Sequence, residues 1–296
     1  MSRPVANLVL LLAGALWGMG FVAQSTAMAA VGPFLFVGLR FLVAAVAMLP
    51  FALREHAVAK TGLQTRDWRA FAVIGLFLFG GMAAQQVGLL TTTVTNSGFL
   101  TGLYVVMVPF LAVLIYRQWP HPVVWPSAAM ALAGIWLLSG GAIERLTVGD
   151  WLTILCALFW ALQMIFIARH AAGSGRPVTL AVTQFAVCAA LGLAVALLVE
   201  PIGLDAIRAA APEILYAGIF SGGIAFTLQA VGQRYTTAPQ AAIFLASESV
   251  FAALFGAYFL GERLPAAGLA GCGLIFAAII LVEALPPLIE RRRRTA

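Results

Sequence analysis

Charge is what this sequence has least of. Only 9% of its 296 residues are Asp, Glu, Lys or Arg, against about 25% in soluble domains. So few charges cannot cover a water-facing globule, and with 62% hydrophobic residues and a mean hydropathy of +1.01 the chain reads as an integral membrane protein. Helical bundles and closed barrels are the structures that satisfy every backbone polar group inside a bilayer. The apolar runs are about 20 residues long and show no alternation of period two, which selects helices over a barrel.

Other absences narrow the function. The three histidines, His56, His121 and His170, fall outside the apolar runs, and no two acids pair within one run. A nucleophile with its base, a metal cluster and a Gly-rich nucleotide loop are all missing, so an enzyme is not expected, nor a cofactor or a metal. Cys156, Cys188 and Cys272 lie inside apolar runs without metal-ligand spacing and read as packing residues. The net charge of +6 does not signal nucleic acid. Its largest block, Arg291–Arg294, follows directly on a membrane segment, where topology and anionic headgroups account for it. The expected partners are the lipid bilayer and a small-molecule substrate.

Windows bounded by charge, Pro and Gly give ten transmembrane helices, at 5–29, 33–53, 70–90, 95–116, 123–141, 151–169, 178–199, 213–232, 238–260 and 265–285. The first is too long for the core of a cleaved signal peptide and is read as a membrane helix. With the N-terminus inside, thirteen Lys and Arg fall in inside loops and three, Arg145, Arg208 and Arg263, outside. Both termini are therefore expected to be cytoplasmic, with 286–296 as a basic cytoplasmic tail.

The halves resemble one another. At an offset of 144, "QQVGLLTTT" (Gln85–Thr93) lies on "QAVGQRYTT" (Gln229–Thr237), Asn96 on Gln240, Tyr104 on Glu248, and "LRF" (Leu39–Phe41) on "TQF" (Thr183–Phe185); at 143, Trp17 lies on Trp160. Repeats 5–141 and 151–285 each hold five helices, an odd number, so the second enters the membrane from the opposite side. The expected fold is all-α: a single membrane domain of two inverted five-helix repeats around a central cavity. In such folds the substrate site lies near the midplane at the repeat interface.

Charged residues inside the membrane mark function or a structural tie. Arg40 stands in the second run and Glu248 in the ninth. Counting from the helix starts, their depths differ by roughly 5 Å. Three readings of Arg40 stay open: snorkelling or bonding to a helix carbonyl, a pair with Glu248, and a site for a substrate anion. Glu248 is either helix glue or a partner for a substrate ammonium or proton. A wider set includes Gln24, Gln85, Gln86, Asn96, Ser97, Gln163, Gln184, Gln229, Gln233, Gln240, Ser247 and Ser249, with Trp17, Trp160, Tyr104, Phe99 and Phe244 as aromatic walls. Helices 5 and 10 carry almost none of these. They are glycine-rich, which suits the periphery or a homodimer contact. The cavity residues taken forward are Arg40, Glu248, Trp17, Gln85, Asn96, Tyr104, Trp160, Gln163, Gln184 and Gln229.

With these residues in view, the chain resembles the EamA-type, ten-helix branch of the drug/metabolite transporter superfamily over its whole length. "ALWGMGF", "LRFLVAA" and "FLTGLYVVMVPFLAVL" resemble segments of the first repeat, and "RYTTAPQAAIFLASESVFAALFGAYFLGERL" resembles the family's most recognisable stretch. Glu248-Ser249 stands where that family often has Glu-Pro. The resemblance implies a secondary carrier of the bacterial inner membrane that exports amino acids or similar small metabolites, most like aromatic amino acid exporters. Export of drugs or other metabolites on the same fold, or a channel-like facilitator, are the alternatives.

Overall fold

A computed structural model describes residues 1–92, 94–140, 146–260 and 265–295, and of 21, 22, 25, 94, 95, 256, 259, 260 and 286–295 only the backbone. Arg145 and Arg263 lie outside the described residues, as do the side chains of Arg291–Arg294. The chain is all-helical. Helices α1 (Arg3–Ala27), α2 (Pro33–Ala57) and α3 (Thr65–Gly88) are followed by α4 in two pieces, Val94–Thr101 and Tyr104–Tyr116, and by α5 (Val124–Leu138). The second half repeats the plan. Helices α6 (Val148–Ser174) and α7 (Pro177–Val199) precede α8, which runs Ala211–Tyr216, then as a π-helix Ala217–Ile224, then Ala225–Gln233. Helix α9 is again in two pieces, Ala238–Leu245 and Ser247–Leu260, and α10 spans Ala266–Thr295. Among the described residues nine helical spans are long and apolar enough to cross a membrane, and α5 is a shorter apolar helix.

Several helices run past the expected edges. The segment 151–169 is part of a helix ending at Ser174, so His170 is helical, and His56 sits in the last turn of α2. Helix α10 continues through residues 286–295. Local chemistry sets the other limits. Prolines at the first turns of α2 and α7 fix φ where an N–H would go unused. Thr147 and Asp150 form a capping box that starts α6.

The interruptions of α4 and α9 are repeat-related, since Gly102 and Ala246 are 144 apart. Both tighten into i→i+3 bonds, Val105 N to Gly102 O at 3.1 Å and Ser249 N to Ala246 O at 3.3 Å. The second break forms without a proline at position 249.

The packing follows the same symmetry. Helix α2 packs on its counterpart α7, and α5 on its counterpart α10, while α3 with α6 matches α8 with α1. The glycine faces of α5 and α10 meet each other: a Cβ on Gly134 would lie 2.6 Å from Gly271 O. The surface suggested for a homodimer is thus used, at least there, within the chain.

The α2–α7 pair carries a feature that the sequence reading missed. Glu200, just past α7, accepts from Phe34 N and Leu35 N at 2.8 Å each, capping the start of α2. Glu55, in the last turn of α2, accepts from Val178 N at 3.1 Å and from Thr179 N at 2.8 Å, capping the start of α7. Each helix ends in the carboxylate that satisfies the other's orphan N–H groups and opposes its dipole. Glu200→Gln and Glu55→Gln are each expected to lower stability by about 1–2 kcal/mol. The double variant should lower it by nearly the sum, because the sites are at opposite ends of the pair. Thermal melting in detergent checks this, and two unchanged midpoints would show the caps to be idle.

Candidate substrate site

A cavity opens inside the bundle, where α1, α2, α3, α4, α6, α8 and α9 converge. The centres of water-sized molecules have about 40 Å³ there. Its lining includes Trp17, Arg40, Gln85, Tyr104, Trp160, Gln229 and Glu248 from the residues taken forward. Among the described residues, α5 and α10 supply none of it, and neither does α7, which the sequence reading had placed on the cavity wall.

Arg40 is 1% exposed. Its guanidinium lies against the rings of Phe36 and Phe41, at 5.6 and 5.0 Å from their centroids. Nη2 donates to Ser221 Oγ at 3.3 Å, while Nε and Nη1 are buried without a partner. No ion pair joins Arg40 to Glu248; the ion pairs among the described residues are Arg66–Asp67 and Arg208–Asp205. Glu248 instead accepts from Tyr104 OH at 3.2 Å. Tyr104 and Glu248 are repeat counterparts, so the two halves touch directly at this bond.

Ser221 comes from the π-helix. Its carbonyl accepts from Trp17 Nε1 at 3.0 Å while its hydroxyl meets Arg40. The wider π turn is a local departure of the kind common at functional sites, and the run "AGIFSGGI" has glycines that let α8 approach α2.

The amides form a shell. Gln85 Nε2 donates to Thr101 Oγ1 at 3.1 Å. Gln229 Nε2 donates to Gln163 Oε1 at 3.2 Å, and Gln163 Nε2 to Gln184 Oε1 at 3.1 Å. Gln163 and Gln184 therefore stand behind the wall and hold Gln229, whose Oε1 is left without a partner. Asn96 does not line the cavity; it lies at the start of α4. Among the lining residues, Ser221, Phe226, Met82, Thr101 and Met164 were not anticipated, and Gln24 was noted only in the wider polar set. Met82 and Phe226 are 144 apart, a correspondence that the repeat alignment contains but that two apolar residues do not advertise.

Polar ties continue from the cavity towards both faces. On the face of the termini, Arg3 donates to Gln240, and Gln240 Nε2 to Glu283 Oε2 at 2.6 Å, joining α1, α9 and α10. At the opposite end Thr92 donates to Asp150, joining the α3–α4 turn to α6. The cavity wall thus carries a carboxylate, amides and aromatic rings, with the buried Arg40 side chain among its lining residues.

The sequence profile of the EamA-like transporter family matches residues 4–140 and, a second time, 147–284. An uncharacterized transporter of Archaeoglobus fulgidus is 31% identical, the match covering 95% of this chain and 87% of that one. The uncharacterized transporter YwfM of Bacillus subtilis is 25% identical over 100% of this chain and 98% of its own. A crystal structure of a protein 20% identical superposes with a TM-score of 0.80, covering 98% of this chain and all of the other.

Proposed function

The chain belongs to the EamA-like transporter family, and on that premise we propose that it is a secondary transporter of the bacterial cytoplasmic membrane that exports amino acids or similar small metabolites by alternating access. Both termini are cytoplasmic in this reading. The observation that carries it is Arg40: a buried guanidinium without an ion-pair partner, in a cavity that also holds the Glu248 carboxylate. A lone buried cation is costly, and a substrate carboxylate offsets that cost when it binds. Glu248 receives the ammonium, and Gln85 and Gln229 receive polar groups between the two charges. One arginine suits a zwitterion better than a multiply charged phosphate.

The repeat symmetry supports alternation. The ties at Thr92–Asp150 and at Arg3–Gln240 involve equivalent parts of the two repeats, one towards each face. Opening one set while the other holds exposes the cavity to one side at a time.

Exchange in proteoliposomes tests the proposal. Liposomes loaded with unlabelled threonine are offered labelled threonine, with serine, uridine diphosphate-glucose or the des-amino acid as competitors. Saturable exchange inhibited by amino acids but not by the nucleotide sugar is the expected result. The wild type should prefer threonine over its des-amino analogue by at least about tenfold, a difference of about 1.4 kcal/mol, and Glu248→Gln should lose that preference. Flux that never saturates would point to a channel. A preference unchanged in Glu248→Gln would remove the ammonium from that carboxylate.

A further inference from the structure

Two repeat-related pairs of rings converge on Phe226. Trp17 and Trp160 lie at centroid distances of 4.7 and 5.4 Å from it, the latter nearly parallel at 21°. Phe41 and Phe185 lie at 5.8 and 6.3 Å. Four helices, α1, α6, α2 and α7, thus contribute aromatic walls to one box, and a ring of the protein fills it. The repeat does not require a ring at this position, because the counterpart of Phe226 is Met82, which also lines the cavity. With Phe226 in place, about 40 Å³ remains for the centres of water-sized molecules, well below the roughly 150 Å³ of an apolar cavity that holds benzene. That favours side chains of the bulk of alanine, serine or threonine over another aromatic ring.

We infer that Phe226 is a specificity-determining residue that occupies the volume an aromatic side chain would need, restricting the cargo to small neutral amino acids. The inference rests on the reading above that the cargo is an amino acid held by Arg40 and Glu248. It departs from the aromatic substrates that the family resemblance implies: the aromatic walls are already satisfied by Phe226.

The test uses the full chain in liposomes loaded with alanine, with labelled alanine outside and rising serine, phenylalanine or tryptophan as competitors. The readout is the ratio of half-inhibiting concentrations, phenylalanine over serine. In the wild type it should be at least about 10, since pockets reject excess bulk by such factors. Phe226→Ala should lower the ratio about tenfold or more, and Phe226→Met, carrying the residue of the repeat counterpart, should fall between. A wild-type ratio near one overturns the inference, as does an unmoved ratio in a Phe226→Ala protein that still exchanges. If Phe226→Ala does not yield folded protein, Phe226→Met decides by the same ratio. Absence of amino acid exchange in folded wild type overturns the proposed function together with this inference, whereas an unmoved ratio overturns the inference alone.

Discussion

Arg40→Gln is expected to abolish measurable amino acid exchange while the protein stays folded. The size of the loss follows from what the guanidinium faces. Removing one partner of a buried, hydrogen-bonded charge pair typically costs 2–5 kcal/mol of binding, roughly 30- to 4000-fold in affinity. The fold should survive because Arg40 has no ion pair to lose. Its contacts are one hydrogen bond to Ser221 and two aromatic faces, and Nε and Nη1 have no partners. Removing a buried cation so placed relieves desolvation, so the melting midpoint of Arg40→Gln should equal or exceed that of the wild type. A structural arginine predicts the opposite pair of results, normal exchange and a lowered midpoint. Arg40→Lys keeps the charge but not the planar fork that matches a carboxylate, and should retain a small fraction of the exchange. The decarboxylated amine analogue supplies the complementary measurement: it should compete poorly in the wild type, and Arg40→Gln should not discriminate against it.

The repeat explains why so much of the candidate site was legible in the sequence. Matching the halves placed Tyr104 opposite Glu248 and Phe41 opposite Phe185, and both pairs are in contact. It also related Gln85 to Gln229, both on the cavity wall. Residues near a twofold axis meet their own counterparts, so an alignment of halves doubles as a contact list there. Arg40 and Glu248 were legible as intramembrane charges, but counting residues gave only their depths. Whether they pair depends on which way each helix face turns, and that is set by packing. The π-helix was hidden for a related reason. A shift from i→i+4 to i→i+5 bonding changes backbone register without altering composition, so "FSGGI" reads as ordinary membrane helix while it brings Ser221 to Arg40. Glu55 and Glu200 resemble solvated loop charges in sequence; their role as caps exists only because α2 and α7 run antiparallel.

That antiparallel pair is also where the smallest change should do the most structural damage. A Cβ added to Gly192 would lie 2.8 Å from Gly38 N and 2.9 Å from Gly38 Cα, with Phe34 O at 3.3 Å. All three are backbone atoms of α2, so no side chain can rotate away, and the helices must move apart. In an open helical position Gly→Ala gains up to about 1 kcal/mol of helix propensity. At Gly192 overpacking of about 1–3 kcal/mol opposes that gain, and separation also strains the Glu55 and Glu200 caps at the two ends of the pair. Gly192→Ala should therefore melt lower than the wild type, and Gly192→Val should not be recovered as a monodisperse protein. Gly273, on α10, is the control, since a Cβ there meets nothing within 4 Å; Gly273→Ala should leave the midpoint unchanged or raise it. Equal midpoints for Gly192→Ala and Gly273→Ala would mean that the α2–α7 crossing yields easily. Helices that separate so readily could not hold Arg40 and Phe41 on one side against Gln184 and Phe185 on the other, and the rigid wall behind the cavity would be lost with them.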